Sequence, residues 1–147
     1  MKNFVTFEIA KKLKKKGFRE KCLTYYDVDD NVGLLYNTQY SDVMLPCQYT
    51  DLLMSHNTSE ERQPDDSDNC VDAPTISQVL KWLRDEKLIL IGLSPMQEYD
   101  CNEVIEWCTT VYKADKQGGL SWQEELYYQS YEVAALAGIE YVLDNLI

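Results

Sequence analysis

The sequence predicts an α+β domain, with an antiparallel sheet of four or five strands and about three helices packed mainly on one face. Three observations carry this. Thr75 with Gln78 three residues on forms a capping box, Pro74 blocks a helix arriving from upstream, and Ile76, Val79, Leu80 and Leu83 recur at helical spacing. Directly behind that helix, Leu88-Ile89-Leu90-Ile91 is a short apolar, β-favouring run ended by Gly92, Ser94 and Pro95, the pattern of a central strand. Val104 to Lys113 alternates, with Ile105, Trp107, Thr109 and Val111 on one side and Glu106, Cys108, Thr110 and Tyr112 on the other, as a half-buried strand does.

The remaining elements follow in order. Asn3 to Lys16 reads as a first helix with Phe7, Ile9, Ala10 and Leu13 on its inner side and Asn3 or Thr6 as its cap. Gly17 supplies a left-handed C′ position and Phe18 the apolar contact of a Schellman ending. Cys22 to Tyr26 and Val32 to Tyr36 are β-favouring runs around the turn-rich Asp27 to Asn31, and pair as a hairpin. Residues 37–72 are predicted irregular and mobile, because apolar residues are scattered, Pro46 interrupts, and Asn57 to Asn69 is almost wholly polar.

Beyond the middle of the chain, Met96 to Asn102 reads as a loop and Asp115 to Gly119 as a turn, with Leu120 to Trp122 pairing briefly behind it. A last helix opens at Ser130 as N-cap. Tyr131, Ala135, Ile139, Val142 and Leu146 form its stripe, widened by Leu136 and Leu143, and Gly138 within it implies a close approach to a strand or another helix. The helix-strand-strand order occurs twice without residue identities that would make it a repeat. The whole chain, 1–147, is predicted to be one domain, long enough to build a core without staples.

Charge narrows the partners. The formal net charge is −11. Residues 1–21 carry eight Lys or Arg against two Glu, a net +6, so the rest of the chain stands at −17. Such a molecule is a poor ligand for nucleic acid or anionic lipid as a whole and a better one for a basic protein surface. Lys14, Lys15 and Lys16 close the first helix, where cations favour the helix dipole. No apolar run is long enough to span a bilayer and the N-terminus lacks the apolar core of a secretory signal, so a cytoplasmic protein is expected. Five cysteines in a chain of this size are expected as free thiols.

Several of these stretches resemble a group of small uncharacterised proteins found in phages and integrated elements of gut bacteria. The resemblance rests on Phe4-Val5-Thr6-Phe7 with Ala10, Leu13 and Gly17-Phe18, on the run from Ala73 to Arg84, and on Ser130-Tyr131-Glu132 with Ala134-Ala135 and Gly138 to Leu143. It implies a phage or mobile-element origin and a small α+β fold. It implies no reaction and no site residue.

The chemistry-bearing residues point away from catalysis. A thiol enzyme needs a base beside its cysteine, and the one histidine, His56, sits in the irregular segment. Cys101 and Cys108 form no CxxC pair of the kind that holds zinc. Asp27 to Gly33 places its glycine seventh rather than sixth and has Thr38 where an EF-hand has its glutamate, so it reads as a hairpin turn. Glu60, Glu61, Asp65, Asp66 and Asp68 read as a solvated acidic run. With six glycines, neither a dinucleotide fingerprint nor a phosphate loop occurs. The expectation is therefore no catalytic residue, no cofactor and no metal. What remains is an aromatic cluster, Trp107, Trp122, Tyr127, Tyr128 and Tyr131, expected to form an interaction surface for a protein partner or a homodimer. The runners-up are an acidic inhibitor that mimics nucleic acid at a basic site, and a small hydrolase.

Overall fold

In a computed structural model of the protein, residues 3–27, 33–36, 70–97, 104–115 and 117–147 are described. They hold three helices and six strands, α1 Phe7–Lys15, β1 Thr24–Asp27, β2 Gly33–Tyr36, β3 Cys70–Asp72, α2 Ile76–Lys87, β4 Ile89–Gln97, β5 Val104–Ala114, β6 Leu120–Tyr128 and α3 Tyr131–Asn145. The class is α+β and the sheets are antiparallel. The strands do not join in the single sheet of four or five that the sequence suggested; they form two three-stranded sheets, ordered β2-β1-β3 and β4-β5-β6. The chain divides into two compact units, Phe4–Thr75 on the one hand and Met1–Asn3 with Ile76–Ile147 on the other.

In the unit Phe4–Thr75, α1 starts at Thr6, whose Oγ1 accepts the Ile9 amide at 3.4 Å, so Thr6 and not Asn3 is the cap. Its end is the predicted Schellman turn. Gly17 has φ +86, the Phe18 amide donates to Leu13 O at 3.0 Å and the Gly17 amide to Lys14 O at 3.3 Å. Ile9, Ala10, Leu13 and Phe18 are buried, whereas Phe7 is half-buried and meets Tyr26 edge-on with ring centroids 5.5 Å apart. The β1–β2 hairpin pairs Thr24 with Tyr36 through Asp27 with Gly33. On the other side of β1, Cys70–Asp72 adds a strand inside the stretch predicted to be irregular; residues 37–69 of that stretch lie outside the described residues. Thr24 Oγ1 donates to Ala73 O at 2.6 Å and the Tyr26 hydroxyl to Val5 O at 2.7 Å, satisfying polar groups that strand pairing leaves inside.

In the other unit, α2 opens with the Ile76 amide donating to Asn3 O at 2.8 Å. Ile76, Val79 and Leu83 face inward as their spacing predicts, but Trp82 is buried with them and Leu80 is only half-buried. Leu88 alone joins α2 to β4, in the left-handed region with φ 57, a role that glycine usually fills at a helix end. β4 then runs through Gly92, Ser94 and Pro95 instead of stopping at them. It is an edge strand rather than a central one, which is why proline is tolerated. The central strand is β5.

β6 is also longer than predicted, nine residues in place of three, behind a turn in which Asp115 Oδ1 accepts the Gln117 and Gly119 amides, both at 2.8 Å. α3 is capped by Ser130, whose Oγ accepts the Val133 amide at 3.3 Å. It packs on the sheet through Ala134, Ala135, Gly138, Ile139, Val142 and Leu143, while Tyr131 is 38% exposed. A Cβ at Gly138 would sit 2.6 Å from Thr109 Cγ2 and 3.1 Å from Ile91 Cγ2, so the close approach to a strand is real. Among the described residues no helix is long and apolar enough to cross a membrane.

Candidate interaction surface

Register decides which side chains share a face, since opposed residues on antiparallel strands point the same way. α3 covers the face that carries Ile91 and Thr109: Thr109 Oγ1 donates to Ala134 O at 2.7 Å, and both residues bound the space at Gly138. Trp107 pairs with Tyr128 and Thr109 with Leu126, so these belong to the helix-covered face as well. Trp107 meets Tyr131 of α3 edge-on, with centroids 5.2 Å apart.

The opposite face is built from the intervening positions. Across the three strands Leu90 pairs with Tyr112 and Tyr112 with Trp122, while Ala114 pairs with Leu120. Leu120 is 58% exposed, Trp122 59% and Tyr127 50%. The five predicted aromatic residues are therefore not one cluster. Trp107, Tyr128 and Tyr131 belong to the helix side of the sheet, and Trp122 and Tyr127 to the other side.

What puts Trp122 and Tyr127 on the same face is an irregularity. Five residues apart on a regular strand, they would point oppositely. The pairing shifts between Val111 opposite Glu124 and Tyr112 opposite Trp122, which leaves Gln123 as an extra residue, a β-bulge that reverses the alternation. Same-face positions along β6 are thus Leu120, Trp122, Glu125 and Tyr127.

Glu125 is the residue that sequence reasoning missed. Its Oε1 accepts the Tyr127 hydroxyl and, at 3.6 Å, the Cys108 thiol, whose sulfur also lies 3.7 Å from Thr110 Oγ1. The carboxylate bonded to the phenol, with smaller contributions from desolvation and from charge, pushes the Tyr127 hydroxyl up to about 12 from its ordinary 10.0. At the neighbouring position the Glu124 carboxylate takes the Glu125 amide at 3.0 Å, which satisfies a backbone donor of an edge strand.

A depression of about 540 Å³ continues from the Leu88, Ala114 and Leu120 end of this face, with Lys87, Lys113, Asp115 and Ser121 around it. Among the described residues it joins no nucleophile to a base. Ser121 Oγ donates to Lys113 O at 3.3 Å and accepts Gln123 Nε2 at 2.9 Å, and the Asp115 carboxylate is held by its own turn. Among the described residues, no three His, Cys, Asp or Glu gather as a metal site would require. Cys22 is buried, and burial followed by the charges of Asp72 and Glu20 pushes its thiol well above the ordinary 9.0, making it a poor nucleophile. His56, Cys47, Cys101, the acidic run from Glu60 to Asp68 and most of the Asp27 to Gly33 turn lie outside the described residues. Comparison of the chain with protein-family models, with curated proteins and with solved structures finds no match.

Proposed function

We propose that the chain is a small non-enzymatic protein that acts through protein–protein interaction, of the phage or mobile-element kind it resembles, and that it works in the cytoplasm. The observation that carries this reading is the face of β4-β5-β6 opposite the one that α3 covers. Leu120, Trp122 and Tyr127 are each at least half exposed there, beside Leu88 at 39% and Met96 at 43%. Large apolar side chains gathered on one exposed face are a docking surface in the making, because hiding them from water is worth about 25 cal/mol per Å².

The test is a photoreactive amino acid placed at Trp122 and, as a control, at the exposed Ser77 of α2, in the cell that carries the protein. A discrete crosslinked protein from position 122 and none from 77 supports the reading. Equal or absent crosslinking from both positions counts against it. A second reading, an acidic inhibitor that occupies a basic nucleic-acid site, draws on the −17 carried beyond residue 21. It differs in that the captured protein would bind nucleic acid and release it on adding this chain. A small hydrolase finds no support among the described residues.

A further inference from the structure

We infer that Trp122, Glu125 and Tyr127 read an arginine side chain on an extended basic segment of a partner protein. The inference rests on the reading of this face as a docking surface, and it names what docks.

The argument starts from charge. The outward positions of β4, β5 and β6 on this face include the carboxylates of Glu106 and Glu125 and no lysine or arginine. A face that is acidic and aromatic at once complements a cation better than it complements an apolar patch or a second copy of itself, since two copies face to face would bring like charges together. The bulge at Gln123 then sets the geometry. It places Glu125 between the two exposed rings on one strand, where successive same-face positions stand about 6.8 Å apart, so one planar cation reaches the carboxylate and a neighbouring ring together.

Glu125 is also prepared for the task. Tyr127 and Cys108 both bond to Oε1, which fixes the carboxylate and leaves Oε2 with no bond from the described residues. A guanidinium donating to Oε2 can stack flat on Trp122 or Tyr127, whereas an ammonium gains the charge without the stacking, so arginine is favoured over lysine. Among the described residues β6 is an edge strand, so an extended segment can lie along it and deliver such a side chain.

The experiment titrates the full-length protein with a short blocked peptide alternating valine and arginine, and with its lysine and citrulline counterparts. Citrulline keeps the planar shape of arginine but replaces one terminal amino group with a carbonyl oxygen and carries no charge. Expected are amide shifts confined to β5 and β6, affinity that falls with added salt, and binding weaker by about tenfold or more for the citrulline peptide, for Glu125→Gln and for Trp122→Leu. Glu132→Gln, a carboxylate on α3, should leave the affinity unchanged, and matched thermal unfolding of each variant checks that it is folded. Equal binding of the arginine and citrulline peptides overturns the inference while leaving a docking surface. Absence of binding at millimolar peptide also overturns it, and crosslinking from position 122 then decides separately whether the face docks a protein at all.

Discussion

At the residue scale, Cys22 links packing to pH. Its side chain is fully buried and its sulfur lies 3.4 Å from Glu20 O, while burial and nearby carboxylates hold the thiol protonated well above its ordinary 9.0. An unfolded chain releases that proton near its ordinary value and the folded chain does not. The stability Cys22 contributes through this difference is therefore complete below pH 9 and is lost as pH rises beyond it. Denaturant unfolding followed between pH 8 and 11 should show the free energy falling with pH. Cys22→Ala should flatten that fall by up to about 1.4 kcal/mol per pH unit while lowering stability at neutral pH through the lost packing. An unchanged slope would mean that the thiol ionises as freely in the folded state as outside it.

At the scale of elements, α3 and β5 meet more closely than side chains ordinarily allow. Gly138→Ala gains about 1 kcal/mol of helix propensity but must displace Thr109 Cγ2, and Thr109 is fully buried and held by its bond to Ala134 O. Overpacking of this kind costs about 1–3 kcal/mol, so the variant should be destabilised by up to about 2 kcal/mol. Thr109→Ser keeps the hydroxyl and removes the offending methyl. Combined with Gly138→Ala it should cost less than the two single changes added together, which a thermal-unfolding double-mutant cycle reads directly.

The same elements explain what the sequence disclosed. Helix ends were legible because their signals are local: Thr6, Gly17-Phe18 and Ser130 cap α1 and α3 through bonds spanning a few residues. The hairpin β1–β2 and the alternation along β5 were legible for the same reason. β3 was not, being three residues with a buried aspartate and drawing its stability from the distant β1. β4 and β6 extend past their predicted ends because edge strands with a solvated face need no clean alternation, and Gly92 and Pro95 punctuate only where a strand is paired on both sides. Of the candidate surface, residue type identified Trp122 and Tyr127, but not their separation from Trp107, Tyr128 and Tyr131, and not Glu125. That Trp122 shares a face with Glu125 and Tyr127 depends on an unpaired Gln123 that no local rule announces.

For the molecule as a whole, two forces oppose each other. Exposed Leu120 and Trp122 favour association, and a net charge of −11 with carboxylates on the same face resists it. Sedimentation should therefore find a 17.1 kDa monomer at micromolar concentration and low ionic strength, with heavier species gaining ground as salt screens the repulsion. Trp122→Ser should abolish that gain. A stable dimer at low salt would instead identify a second copy as the occupant of the face.

The spare residue in β6 has a consequence for how such a surface can be lost or moved. Strand phase has only two values, and Gln123 stands outside the pairing, so deleting it would leave Trp122 and Glu125 two residues apart and still on one face, in a ribbon now regular throughout. Deleting the paired Leu126 instead would make Glu125 and Tyr127 neighbours and turn them to opposite faces, so no side chain of the triad need be altered for the triad to vanish. A one-codon deletion is the smallest edit that could silence this chain while leaving all three of those residues in place.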